Sequence, residues 1–339
     1  SYVKDFEKNF AKFINSENAI TTSNGTTALH LALRALGVGP GDEVLVPNFT
    51  FIAPINAVLY VGATPVVLDI DKNSLCIDTK LIEKSITKKT KAIIPVHIYG
   101  QSADMDKIVH IAKKHKLLII EDCAEALGTY YKKIHVGTFG DAAIFSFFGN
   151  KTLTTGEGGM LIFKSSEIDA KARKLRDHAM SPNKRYWHDE LGYNYRLTNI
   201  QSAIGLAQLE RLESFISEKR FIANLYNKKF ENQNYFQTPI EIPETSHSYW
   251  LYTVILNKNF LNFRDQIINS LLKYGIETRP TFYTVDSMPF YKSVNKLNIS
   301  RPVSNEVARL GISLPTFPGL ESSQIKYIAD SFIKIVDDL

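Results

Sequence analysis

Short, continuous apolar runs alternate with amphipathic helical patterns through the first half of this chain, and that alternation leaves few folds open. Glu43–Pro47 is followed by Phe51–Tyr60, Thr64–Asp69 by Thr79–Ile86, and Ala92–His97 by Met105–His115, after which comes Leu117–Cys123. Unbroken apolar runs suit strands buried on both faces, and a helix between each pair supplies the crossover that parallel strands require. The pattern predicts an α/β domain built on a parallel sheet. Ala142–Phe147 and Gly159–Phe163 read as two further strands around a polar, glycine-bearing loop.

The remainder divides by composition. Leu197–Ala223 reads as one long helix or a helix pair, and beyond it Asn232–Pro243 is rich in Asn, Gln and Pro. With 339 residues, 44% of them hydrophobic, the chain has room for two domains of roughly 150 residues each. The boundary is placed at 225/226, giving a large domain over 1–225 and a smaller α+β domain over 226–339. The smaller one holds a strand at Tyr249–Leu256 and helices at Phe263–Tyr274 and Ser322–Ile335. Tyr2, Phe6, Phe10, Phe13 and Ile14 recur at helical spacing, so the sequence opens inside an amphipathic helix, with a preceding segment expected.

Several classes of function are excluded. No apolar run approaches the roughly 18 to 20 residues of a membrane span, the best candidate near Ala142–Gly149 being interrupted by Ser146. Two cysteines, Cys76 and Cys123, and no leader-like start predict the reducing cytoplasm. The net charge of +5 is spread through Lys-rich helices such as Ala112–Lys116, which suits a small anionic substrate and gives no footprint for nucleic acid. No G-x-G-x-x-G follows a strand, against a nicotinamide enzyme. The eight histidines miss metal-ligand spacings, so no metal is expected, and His97 reads as a satisfied or site-lining residue.

Four local features carry chemistry. Ser23-Asn24-Gly25-Thr26-Thr27 follows the strand-like Ala19–Thr22 and opens the helix Ala28–Leu36; such a turn offers backbone N–H groups and hydroxyls to a phosphate, or serves as an ordinary N-cap. Glu121-Asp122 ends a buried strand, where a carboxylate needs a cation or several donors. Ser146-Phe147-Phe148-Gly149-Asn150-Lys151 runs on to Gly156-Glu157-Gly158-Gly159, placing a hydroxyl and glycines around a lysine that would otherwise be merely solvated. Thr50-Phe51 puts an aromatic at a helix start, as core or as a stacking platform.

In this order the features resemble the cofactor site of fold-type I pyridoxal-phosphate (PLP) enzymes. The stretches SNGTTALHLAL (from Ser23), PNFTFIA (from Pro47), PVHIYGQSADMD (from Pro95), EDCAEALG (from Glu121), FSFFGNKTLTTGEGG (from Phe145) and GYNYRLTN (from Gly192) are similar to those of the DegT/DnrJ/EryC1/StrS sugar aminotransferases, over essentially the whole chain. That resemblance implies a large domain with a mixed, mostly parallel sheet covered by helices and a smaller α+β C-terminal domain. It implies that Lys151 attaches covalently to PLP and that Asp122 pairs with the ring nitrogen. Phe51 would stack on the ring, Gly25, Thr26, Thr27 and Ser146 would hold the phosphate, and Glu125 would lie near the ring hydroxyl. Asn194 would reach the phosphate of a second subunit's cofactor, making a homodimer with shared active sites. Tyr193, Arg196, Trp250 and Arg279 are the implied nucleotide-sugar contacts. The implied reaction moves an amino group from L-glutamate to C4 of a nucleotide-linked 4-keto-6-deoxyhexose, GDP-4-keto-6-deoxymannose first and a UDP- or dTDP-linked gluco sugar as the alternative. Relatives that act as sugar 3-dehydratases carry histidine in place of the lysine; this chain has Lys151.

Overall fold

The computed structural model describes residues 1–294 and 300–339. In chain order its strands are β1 (Ile20–Thr22), β2 (Glu43–Pro47), β3 (Thr64–Leu68), β4 (Thr90–Ile93), β5 (Leu118–Asp122), β6 (Tyr130–Tyr131), β7 (Ile134–His135), β8 (Ala142–Ser146), β9 (Gly159–Phe163), β10 (Phe236–Gln237), β11 (Thr245–Ser246), β12 (Tyr252–Leu256), β13 (Arg279–Pro280) and β14 (Gly311–Leu314). The large sheet has the order β1-β9-β8-β5-β4-β2-β3. From β3 to β8 every pairing is parallel, while β9 runs antiparallel to both β8 and β1. The apolar runs read at β2, β3, β5 and β8 are parallel strands, while the run Ala92–His97 overlaps β4 only at Ala92 and Ile93; all but the first residues of β2 and β3 are buried. The chain runs from β2 out to β3 and then crosses to β4 on the other side of β2, so the carboxyl ends on either side of that reversal form the natural ligand crevice.

Helix Tyr2–Ile14 packs beside helix Asn199–Glu210 and buries Phe6 and Phe10 against Phe145 and Phe147 of the β8 segment. Phe10 meets Phe145 edge-on with centroids 5.0 Å apart, and Phe6 lies 5.3 Å from Phe147. Each buried phenyl ring stabilises by about 2 to 3 kcal/mol. The first helix is pinned at its polar side too. Its buried Glu7 accepts from Arg176 and from the Thr21 backbone N–H through Oε1, and from Arg173 through Oε2.

A second apolar cluster surrounds β12 and β14, with Tyr226, Phe230, Tyr252 and Phe332 at its centre. The change from one cluster to the other falls inside helix Leu212–Phe230, whose Leu212 belongs to the first and whose Ile222 to the second. That helix therefore runs unbroken past residue 225. The sequence pattern over Leu197–Ala223 resolves as a pair of helices, Asn199–Glu210 and Leu212–Phe230. The segment after β13 folds back onto the large sheet: Val285, Tyr291, Val307 and Ala308 sit in the first cluster. The short strands β6, β7, β11 and β13, two residues each, carry no periodicity that a sequence reading could detect. Among the described residues no helix is long and apolar enough to cross a membrane.

Candidate active site

Asp122 and Ser146 end neighbouring parallel strands in the middle of the large sheet, with Asp122 opposite Ile144 in the register. The Asp122 backbone is fixed on both sides, its N–H donating to Pro95 and its carbonyl accepting from His97. Among the described residues the carboxylate accepts one hydrogen bond, from the Ala124 N–H at 3.0 Å. Burial pushes this carboxyl above the usual carboxylate range, against the opposing pull of Ala124, Lys151 and His97. A buried carboxylate with so little local compensation is the sequence-predicted partner for a cation.

Helix Gly25–Ala35 begins beside Ser146. A Cβ on Gly25 would lie 3.0 Å from the Ser146 Cβ, so only glycine lets the helix N-terminus approach the end of β8 this closely. Asn24 caps the helix by accepting from the Thr27 N–H at 2.9 Å, and the Thr27 hydroxyl is committed to Asn24 and Ser23. The turn is thus an N-cap built by Asn24 and Thr27, and Gly25, Thr26 and Ser146 border the N-terminal end. The concentrated N–H groups there favour an anion.

Lys151 sits in a turn closed by its own N–H on the Phe148 carbonyl. Its side chain is 13% exposed, and Nζ lies 4.0 Å from Glu125 Oε1. The face of Trp250 covers the amine at 3.7 Å from the ring centroid. The indole N–H donates to the carbonyl of Asn150 at 2.8 Å, which locks the ring next to the lysine. Burial lowers the Lys151 pKa, opposed by the charges of Glu125 and Asp122. Burial likewise raises that of Glu125, with Lys151 and the Tyr99 N–H pulling the other way. The pair is thus poised to exchange a proton, and the neutral amine is more accessible than in water.

Phe51 lies in the loop after β2 and is 56% exposed. Its ring stands 5.9 Å from Phe282, which in turn lies 5.4 Å from Tyr99, and Tyr99 stacks 6.1 Å from Trp250. An aromatic wall thus links Phe51 to the lysine. Tyr99 was not singled out by the sequence reading, yet its N–H donates to Glu125 at 2.8 Å and its hydroxyl accepts from the Phe282 N–H. Its φ of +54° is unusual for a bulky residue. The signal available was the Tyr-Gly step at the end of PVHIYG, a turn after a strand.

Trp250 and Arg279 share one cleft of about 590 Å³ with Lys151, Asn150 and Lys219. Tyr193 and Arg196 do not line it. Tyr193 stacks on Tyr195 at 4.9 Å and accepts from Arg34, while Arg196 pairs with Asp177 at 2.9 Å. Asn194 between them is exposed and accepts from Arg196. Tyr195 nevertheless ties this loop to the phosphate-type turn, its carbonyl accepting from the Ser23 N–H at 2.9 Å.

His97, Glu121 and Cys123 bring ligand atoms within 4.8 Å of one another. Their valences are already used. Glu121 accepts from His97 and from the N–H groups of Gly137, Phe139 and Gly140, and the other His97 nitrogen faces the Ala103 N–H at 3.1 Å. Burial holds the Cys123 thiol protonated. Of the two strand-end carboxylates, Glu121 is thus saturated by its partners, while Asp122 accepts only from the Ala124 N–H among the described residues.

A buried lysine, a strand-end carboxylate short of partners and a glycine-bordered helix N-terminus meet at the carboxyl edge of a mostly parallel sheet, the arrangement that defines a fold-type I PLP-dependent aminotransferase. The residues fit PLP: Gly25 and Ser146 would border its phosphate, the buried and sparsely bonded Asp122 would face its ring nitrogen, and Lys151, its pKa lowered by burial, would face its carbonyl carbon. The sequence model of the DegT/DnrJ/EryC1/StrS aminotransferase family matches residues 1–333, and the chain belongs to that family. It is 44% identical over 338 residues to the GDP-perosamine synthase of Escherichia coli O157:H7, covering 100% of this chain and 91% of the relative. The GDP-perosamine synthase of Caulobacter vibrioides is 46% identical over 327 residues, 96% of this chain and 87% of the relative. Among solved structures, Spr1654 of Streptococcus pneumoniae in its PLP form superposes with a TM-score of 0.95 at 28% identity, covering 100% of this chain and 92% of the other. The cofactor of this chain is PLP.

Proposed function

We propose that this enzyme moves an amino group from L-glutamate to C4 of GDP-4-keto-6-deoxymannose, giving GDP-perosamine for a surface polysaccharide of the O-antigen type. The observation that carries the reading is the near-complete coverage by GDP-perosamine synthases at 44% and 46% identity, with Lys151 buried at the site centre. When bound, PLP supplies an electron sink that stabilises negative charge at a carbon losing a proton.

The chain's own residues do the rest. Gly25, Thr26 and Ser146 anchor the phosphate, with Thr27 shaping the turn, and Asp122 holds the ring nitrogen protonated. Glu125 lies beside the reactive end, and Phe51 covers a ring face. Lys151 would hold the cofactor covalently and, as a free amine, would move the proton off the donor carbon and deliver one to the acceptor carbon. Desolvation beneath Trp250 keeps its amine neutral often enough to act as a base, while Glu125, 4.0 Å away, opposes this by favouring the charged form. Trp250 and Arg279 line the approach, Arg279 offering a guanidinium to a phosphate or a sugar hydroxyl.

The working unit we propose is a cytoplasmic homodimer in which Asn194 completes the partner's phosphate site, with Tyr193 and Arg196 on the same shared surface. Support comes from exposure. Phe51, Asn194 and Arg196 lie open on the single chain, as do the apolar Trp187, Leu191 and Ile200 around them. The change of apolar cluster within helix Leu212–Phe230 supports a division into a large cofactor domain, 1–225, and a small domain, 226–339.

The half-reaction with the donor tests the chemistry without the sugar. Purified protein loaded with PLP is expected to be yellow, to lose that absorbance on adding L-glutamate and to regain it with 2-oxoglutarate. A yellow protein indifferent to glutamate and to other amino acids would contradict the transamination reading.

A further inference from the structure

Lys219 is the second lysine of the cleft, and it is buried without a carboxylate. Its residue is 4% exposed, and among the described residues no acidic side chain pairs with it. Nζ donates to the backbone carbonyls of Thr316 at 2.7 Å and Trp250 at 3.2 Å. Burial alone depresses its pKa, to about 8. It stands on the buried stripe of helix Leu212–Phe230 with Phe215, Ile222 and Tyr226, where an aliphatic side chain would fill the space without desolvating a charge.

What the ammonium gains is a tie between three separate segments: its own helix, the stretch leading into β12 and the loop after β14. Trp250 is thereby held from two sides, by Lys219 at its carbonyl and by the Asn150 carbonyl at its indole N–H. The face so held lies 3.7 Å from the Lys151 amine. We propose that Lys219 is a positioning residue, a clamp on Trp250 and Thr316 that keeps the indole seated over Lys151 and water away from the reactive amine. The inference rests on Lys151 being that amine.

The expected direction follows from the groups facing Lys151. Glu125 and Asp122 favour its charged form, as does the indole face, while burial opposes it as the largest effect; Arg279 and Glu277 line the same cleft. Opening the wall removes both burial and the ring contact. Burial can move a lysine by up to about 3 to 5 pH units and a cation–π contact by about one, so the loss of burial wins and Lys151 titrates higher.

The test uses the cofactor-free chain. Acetylation of Lys151 by acetic anhydride is followed by peptide mass spectrometry across a pH series, and Trp250 emission is read in a W187F background, the chain having 2 tryptophans. In Lys219→Met the acetylation midpoint should rise by about one pH unit, roughly a tenfold slower reaction at fixed pH, and the emission should shift to the red. Lys219→Arg should match the wild type in both. A folded Lys219→Met with unchanged midpoint and emission overturns the clamp. If that variant does not fold, Trp250→Ala decides: the midpoint must rise with Lys219 intact, and an unchanged one overturns the proposal. Borohydride reduction of the PLP-loaded wild type separates the two levels. A tag on a lysine other than Lys151 removes the underlying reading; a tag on Lys151 with an unaltered Lys219→Met profile removes only the clamp.

Discussion

Lys151→Ala should lower turnover by at least about a thousandfold, equivalent to roughly 4 kcal/mol of lost transition-state stabilisation, and should leave the fold intact. The turn that presents the lysine is closed by backbone, from the Lys151 N–H to the Phe148 carbonyl, and survives the substitution. What disappears is the amine that holds the cofactor and carries the proton, and the other lysine of the cleft, Lys219, is committed to the carbonyls of Trp250 and Thr316. Borohydride should trap PLP on the wild type and release it from the variant on denaturation. Steady-state assay of the folded variant checks the claim, and near wild-type turnover would refute the role of Lys151.

Asp122→Asn should cost roughly a hundredfold to ten-thousandfold in turnover, comparable to removal of other preorganised electrostatic partners or an orienting acid. The amide is nearly the same size and keeps the Ala124 N–H as a neighbour, yet it carries no charge to hold a ring nitrogen protonated. Stability should move the other way. Asp122 is a buried carboxylate that accepts only from the Ala124 N–H among the described residues, so neutralising it relieves desolvation, and the cofactor-free variant should melt at or above the wild-type temperature. Turnover and thermal melting measured on one preparation distinguish this from a general loss of fold, in which both would fall.

The parallel sheet was legible because a strand buried on both faces leaves an apolar run, as β2, β3 and β5 did, whereas β4 is Thr90–Ile93 and the run Ala92–His97 marks only its second half and the segment after it. The reversal of β9 was not visible from a run of the same kind, since strand direction is set by the connection and not by the residues. Asp122 and Ser146 each end a strand and Gly25 opens a helix, so order and local chemistry single them out, while Lys151, in a turn after β8, stands out only by the glycines and the hydroxyl around it. Lys219 was hidden among many lysines. Its signal was positional: a lysine on the same helical stripe as Phe215, Ile222 and Tyr226, where a solvated residue has no place. Tyr99 and Phe282 were beyond reach for another reason. They meet the site through long-range packing, 183 residues apart in the chain, and the one local mark, the Tyr-Gly turn after a strand, does not identify Tyr99 as a neighbour of Lys151.

The contrast between Thr27 and Gly25 carries a similar lesson. Both belong to one turn and both suit a phosphate, yet capping commits the Thr27 hydroxyl, while Gly25 gives its space to Ser146. Motif membership places a residue near the chemistry; the hydrogen-bond partners decide what remains free for it.

The central claim is the pairing of this PLP site with a GDP-linked manno-configured keto sugar. Purified enzyme supplied with PLP and L-glutamate should convert GDP-4-keto-6-deoxymannose to its 4-amino product, detected by mass spectrometry of the nucleotide sugar, in preference to UDP- or dTDP-4-keto-6-deoxyglucose. Conversion of a gluco substrate with none of the GDP-linked one would contradict it.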